Sequence, residues 1–116
     1  MGRIDRIRAD VVALIADPLN EVFVSAASAW EIATKFAIGK LSLSEHPREW
    51  LPLAIKRNSF TPLPITVEHG SAVADLPLHH RDPFDRLLIA QAKVEQLALV
   101  TGDEKLTAYD VQVVLC

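Results

Sequence analysis

The sequence predicts an α/β fold with a mainly parallel sheet covered on both faces by helices, and three observations predict it. Short β-branched runs (EVFVS, LALVT, VQVVL) alternate with longer stretches of helical apolar spacing. Strands separated by helices require crossover connections, and crossovers make neighbouring strands parallel. The 116 residues, 50% apolar and 23% charged, suit one folded domain and contain no internal repeat or low-complexity linker. That apolar share is generous for a small domain, so part of it is expected to cover a partner or a second copy.

The elements follow in order. Ile4, Ile7, Val11, Val12, Leu14 and Ile15 recur at helical spacing, which predicts an amphipathic helix from Ile4 to Ala16, ended by Asp17-Pro18. Glu21 to Ser25 is the first strand, and the Ala-rich AASAWEIATKFAI after it is a helix stopped by Gly39. Pro47 suits the first position of a helix through Asn58, although Pro52 is expected to distort it. The two prolines of SFTPLPI restrict it to an edge strand or an extended segment. Thr66 caps a helix running to about Leu76, and a PLHHRDP loop leads into a helix from Pro83 to Gln96. LALVT is a strand, TGDEKL a turn with a short helix, and VQVVL the last strand.

Composition narrows the function classes. A formal charge of -3 does not advertise nucleic-acid binding, so a polyanionic partner needs local Arg and Lys or a metal. The single cysteine, Cys116, has no partner for an internal disulfide, which suits a reducing cytoplasm. No apolar run approaches the roughly 18 residues of a spanning helix, and acids interrupt the N-terminal apolar stretch where a signal peptide has none.

In a parallel sheet, ligands gather beyond the carboxyl ends of the strands. Three such places carry acid here: Glu31 on the helix after EVFVS, Asp82 and Asp85 at the start of the Pro83 helix, and Asp103 with Glu104 in the turn after LALVT. Each has a structural explanation taken singly. Ser28 to Glu31 fits a capping box, and Glu31 also precedes Lys35 by one helical turn. Asp82-Pro83-Phe84-Asp85 supplies a cap, a first-turn proline and an acid suited to the helix dipole, and Asp103 is an ordinary turn residue.

Together the acids are harder to dismiss. Glu31 sits among Ala29, Trp30, Ile32 and Ala33, and Asp85 between Phe84 and Leu87-Leu88-Ile89. Carboxylates converging to ~4 Å repel by about 4 kcal/mol per pair at an effective dielectric near 20, a penalty that a divalent cation removes. Oxygen ligands favour Mg²⁺ or Mn²⁺ over zinc, and water on such ions attacks phosphate esters. His79 and His80 with Asp82 invite a zinc reading, but neighbouring loop side chains rarely converge on one ion. A serine hydrolase lacks its nucleophile elbow, a phosphate-binding loop lacks its glycines, and an acidic phosphatase lacks its D-x-D after a strand. Trp30 and Trp50 suit the core or an interface better than a base-stacking platform.

SAASAWEIATKFAIGKL, LPITVEHGSAVADLPLHHRDPFDRLLIAQA and LALVTGDEKLTAYDVQVV strongly resemble the PIN-domain ribonucleases of the VapC toxin type over nearly the whole chain. The DPFDRLLIAQA element with a downstream T-x-D is its specific part. The resemblance implies a PIN-like three-layer α/β/α fold and a Mg²⁺- or Mn²⁺-dependent endoribonuclease that cleaves RNA in the cytoplasm, dimerises, and is held inactive by a cognate antitoxin. Carried over, it makes Glu31, Asp85 and Asp103 the metal-binding, catalytic acids, with Asp82 and Thr101 in support. Lys35, Arg81 and Arg86 are candidates for steering RNA. Members of the family begin with a central strand ending in an aspartate, and no such segment is present: MGRIDRIRADVVALIADPLNEVF resembles the region that follows it. Asp5 and Asp10 sit in a helical pattern and do not replace the missing acid. Residues 1–116 are therefore expected to form a single PIN-like domain, N-terminally truncated relative to the family. The rival expectation is an inactive PIN-like remnant that pairs with an antitoxin or another toxin subunit.

Overall fold

The computed structural model describes residues 9–115, with side chains described from residue 12 onward. Cys116, Asp5 and the first turn of the predicted N-terminal helix lie outside the described residues, as does the side chain of Asp10. The element order is α1 (Ala9–Ala16), β1 (Phe23–Ser25), α2 (Ala26–Ala37), α3 (Pro47–Arg57), β2 (Thr61–Leu63), α4 (Val67–Ala72), α5 (Pro83–Glu95), β3 (Leu99–Thr101) and β4 (Val113–Leu115). Short 3₁₀ turns at Val73–Asp75 and Glu104–Ala108 complete it.

Local chemistry accounts for most boundaries. Ser25 ends β1 and begins α2, its hydroxyl accepting the Ala27 N–H at 3.1 Å. Gly39, at φ 76, turns the chain out of α2. The Thr66 hydroxyl accepts the His69 N–H and the His69 ring accepts the Thr66 N–H, a reciprocal cap that starts α4. Pro52 does not break α3, contrary to the distortion expected of it. It sits on the exposed side of that helix, where loss of one amide donor is tolerated.

Both strand pairs are parallel, as predicted. β1 pairs with β2 in the register Val24 to Pro62, and β3 pairs with β4 in the register Val100 to Val114. The proline in β2 fits a strand paired on one edge only. With the central strand absent, as expected from the sequence, the strands form two separate two-stranded sheets among the described residues. Between them lies a cleft of about 480 Å³, lined by Phe23 and Leu63 of one pair, Leu99 and Val114 of the other, and Leu88 and Gln91 of α5.

Helix α5 connects the two halves, packing against α2, α4 and β3. Ile89 and Ala90 on α5 meet Leu76, Leu106 and Tyr109 in the buried core, with Val73, Leu99 and Val111 around them. His69, 1% exposed, ties α4 to the far end of α5 through a 2.8 Å contact with Glu95. The site acids are therefore mounted around one helix whose core face is fixed.

Candidate metal centre

The first turn of α5 organises the site. Asp82 is its N-cap: one carboxylate oxygen accepts the N–H groups of Phe84 at 2.8 Å and Asp85 at 3.3 Å. Pro83 follows, where its missing N–H costs nothing. Asp82 thus satisfies the helix start, and Asp85 projects from the first turn without a capping task.

Asp103 arrives from the other direction, two residues beyond β3. Its Oδ1 accepts the Lys105 N–H at 2.9 Å and so caps the 3₁₀ turn, while its own N–H donates to the Thr101 hydroxyl at 3.2 Å. Its Oδ2 lies 3.0 Å from His80 Nε2, and the same nitrogen is 3.5 Å from Asp85 Oδ2. One ligand atom each from His80, Asp85 and Asp103 lies within 4.8 Å of the others, the grouping of this kind among the described residues.

Glu31 adjoins this group from α2. The expected capping box at Ser28 does not form, because Ser25 already caps the helix and places Glu31 in its second turn. The structural explanation for Glu31 is thereby reduced to a 3.3 Å ion pair with Lys35. Trp30 is 63% exposed rather than in the core, and its ring meets Phe84 edge-on at 4.8 Å. That contact joins α2 to the start of α5 beside both acids.

Electrostatics record the crowding. Burial pushes the Asp85 carboxyl above the usual carboxylate range, and the charges of Asp82, Glu31 and Asp103 push the same way against the opposing pull of His80. Asp103 is held below that range, chiefly by the Lys105 N–H and then by His80. Three acids disfavouring the ionisation of a fourth describe a site short of positive charge. The carboxylates of Asp85 and Asp103, with Glu31 alongside, fit a divalent cation by donor type and by charge.

The remaining predicted residues are distributed unevenly. Arg81 is exposed. Arg86, expected to steer RNA, turns inward: its guanidinium donates to the carbonyls of Val73, Leu76, Pro77 and His80 and to the Tyr109 hydroxyl, at 3.0 to 3.4 Å. His79 packs edge-on against Tyr109 and stands apart from His80. His80 is the residue that sequence reasoning undervalued. A legible signal existed, because a histidine two residues before a capping Asp can accept the cap's own N–H, as it does here at 3.0 Å.

An α/β chain with parallel strands and acids gathered at strand and helix ends defines a class, and a family model supplies its name. The PIN domain model matches residues 3–112, and the chain belongs to that family. It is similar to Ribonuclease VapC16 of Mycobacterium tuberculosis (strain ATCC 25618 / H37Rv), at 37% identity over 68 residues covering 55% of this chain and 48% of that protein. The chain thus spans about half the length of that curated relative. No solved structure matches it. Among the described residues, no helix is long and apolar enough to cross a membrane.

Proposed function

We propose that this PIN-domain chain is the nuclease component of a VapC-type toxin-antitoxin pair, a metal-dependent endoribonuclease of the cytoplasm that cleaves RNA phosphodiester bonds. The observation that carries the reading is the approach of Asp85 and Asp103 from different elements, with Asp85 held unusually reluctant to ionise. Membership of the PIN family and likeness to a ribonuclease support it.

Asp85, Asp103 and Glu31 are the residues that would hold Mg²⁺ or Mn²⁺. Such an ion supplies an acidified water and offsets charge on the scissile phosphate. Asp82 fixes the backbone of the first turn, which sets where Asp85 points. Thr101 fixes the turn that presents Asp103. Arg81 is exposed, directly precedes Asp82 and is suited to meeting the RNA backbone. Lys35 serves in the same way when its pairing with Glu31 is exchanged for phosphate. The cognate antitoxin and a second copy are the protein partners of this reading, and exposed apolar side chains such as Ile38, Leu53 and Leu78 offer surface for them.

The test is RNA cleavage with Mn²⁺ or Mg²⁺, run on this chain and on one extended by its in-frame upstream coding sequence. Cleavage lost on chelation and on Asp85→Asn substitution is the expected result. Cleavage unchanged by Asp85→Asn would sink the site assignment, and no cleavage by either chain would favour a non-catalytic role.

A further inference from the structure

His80, Asp85 and Asp103 look like a ready-made set of three metal ligands, yet the hydrogen bonding of the His80 ring argues otherwise. Its Nδ1 accepts the Asp82 N–H at 3.0 Å, so the ring proton resides on Nε2, the nitrogen that faces Asp103 at 3.0 Å and Asp85 at 3.5 Å. A ligating Nε2 must offer a lone pair. Moving the ring proton to Nδ1 would set two donors face to face at the N-cap of α5.

The ring is also held from behind. The His80 N–H donates to the Tyr109 hydroxyl at 2.8 Å, and its carbonyl accepts from Arg86 at 3.4 Å. Tyr109 is 4% exposed and part of the core, so the main chain that carries the imidazole is anchored to the buried core. Asp103 in turn has one carboxylate oxygen on the Lys105 N–H and the other on His80, which fixes the plane of the carboxylate.

We propose that His80 is a positioning residue that donates through Nε2–H to orient Asp103 beside Asp85, and that it is not a metal ligand. This deepens, and rests on, the reading of the acids as a metal centre. It predicts that His80 governs metal affinity through carboxylate geometry, the way hydrogen-bond partners outside the ligand set commonly do.

Three measurements on the full chain test it. Long-range nitrogen–proton NMR correlation of the metal-free protein should show the His80 proton on Nε2; a proton on Nδ1 overturns the proposal, whether or not metal is taken up. Pulsed EPR of the Mn²⁺-loaded protein should show no imidazole nitrogen coupling at the ion, and a coupling that disappears in His80→Ala overturns it. Mn²⁺ calorimetry should show about tenfold weaker binding in His80→Ala, within the usual range for such partners. His80→Gln, which keeps a donor near the Nε2 position, should recover much of that loss; equal loss in both variants counts against a donor role. Asp85→Asn serves as the separate control: if it binds Mn²⁺ as the unaltered chain does, the metal reading fails, while the tautomer result still decides the role of His80.

Discussion

Two histidines lean on opposite ends of α5 with the same wiring. His69 accepts the Thr66 N–H on Nδ1 and meets Glu95 with Nε2 at 2.8 Å; His80 accepts the Asp82 N–H on Nδ1 and meets Asp103 with Nε2 at 3.0 Å. Their surroundings differ. His69 is sealed at 1% exposure, has Gln91 against its ring and serves one carboxylate. His80 is 17% exposed and faces two carboxylates, with Glu31 and Asp82 close enough to perturb Asp85. An imidazole bridging a backbone amide and a single acid fastens two helices together. The same bridge placed before a surplus of acid becomes part of a site.

The largest expected effect tests the sealed member. His69→Ala leaves the Thr66 N–H and the Gln91 amide short of a partner and opens a cavity, which should cost about 3 kcal/mol in chemical denaturation. His80→Ala should cost under about 1 kcal/mol in the same assay, since water reaches its partners. Comparable losses would erase the distinction between the two histidines.

Tyr109→Phe comes next. It removes the hydroxyl that the His79 and His80 N–H groups and Arg86 all contact, so a loss of about 1–2 kcal/mol is expected. Weakened Mn²⁺ binding should accompany it, a readout that a purely core defect would leave alone.

Asp85→Asn should act in the opposite direction, raising stability in metal-free buffer while removing metal uptake. The pH dependence follows from the sign of each shift. The Asp85 pKa is raised by folding, so the ionised carboxylate destabilises the fold above that raised value and has no effect below the ordinary aspartate range. Asp103 is lowered, so its contribution is present above the ordinary range and is lost as pH falls through the depressed value. On acidification in metal-free buffer, the gain from Asp85→Asn should therefore vanish before the deficit from Asp103→Asn does. Thermal melts of both variants across the acid range check the order.

The smallest effect belongs to Lys35→Ala. An exposed pair one helical turn apart contributes only about 0.3–0.5 kcal/mol, so stability should barely change. Filter binding of RNA at varied salt then isolates any part Lys35 has in meeting phosphate.

Much of this arrangement is legible in the residues. Thr66 as a cap, Asp82-Pro83 as a helix start, and Asp85 as the acid left over all follow from local rules, and the structure places the strands within the runs that predict them. Local rules fail where two residues compete or where partners are distant. Ser25 and Ser28 are both plausible caps for α2, and the end of β1 decides between them. Arg86 reads as a surface cation beside Arg81, yet it is drawn inward by carbonyls of the preceding loop and by Tyr109, 23 residues away. His80 is discounted in sequence because neighbouring loop side chains rarely converge on one ion, and only the fold brings Asp103 to it. The division of the sheet, by contrast, agrees with the reading that the central strand is absent.

That division has a mechanical consequence. Glu31 rides on the helix that continues β1, Asp103 on the turn that continues β3, and Asp85 on α5, which packs against both α2 and β3. No ladder of backbone bonds joins the pairs among the described residues, and α5, packed against α2 and β3, lies across the gap between them. The three acids therefore hang from three separate elements, and their spacing depends on how α2, α5 and β3 pack against one another rather than on one continuous ladder of backbone bonds.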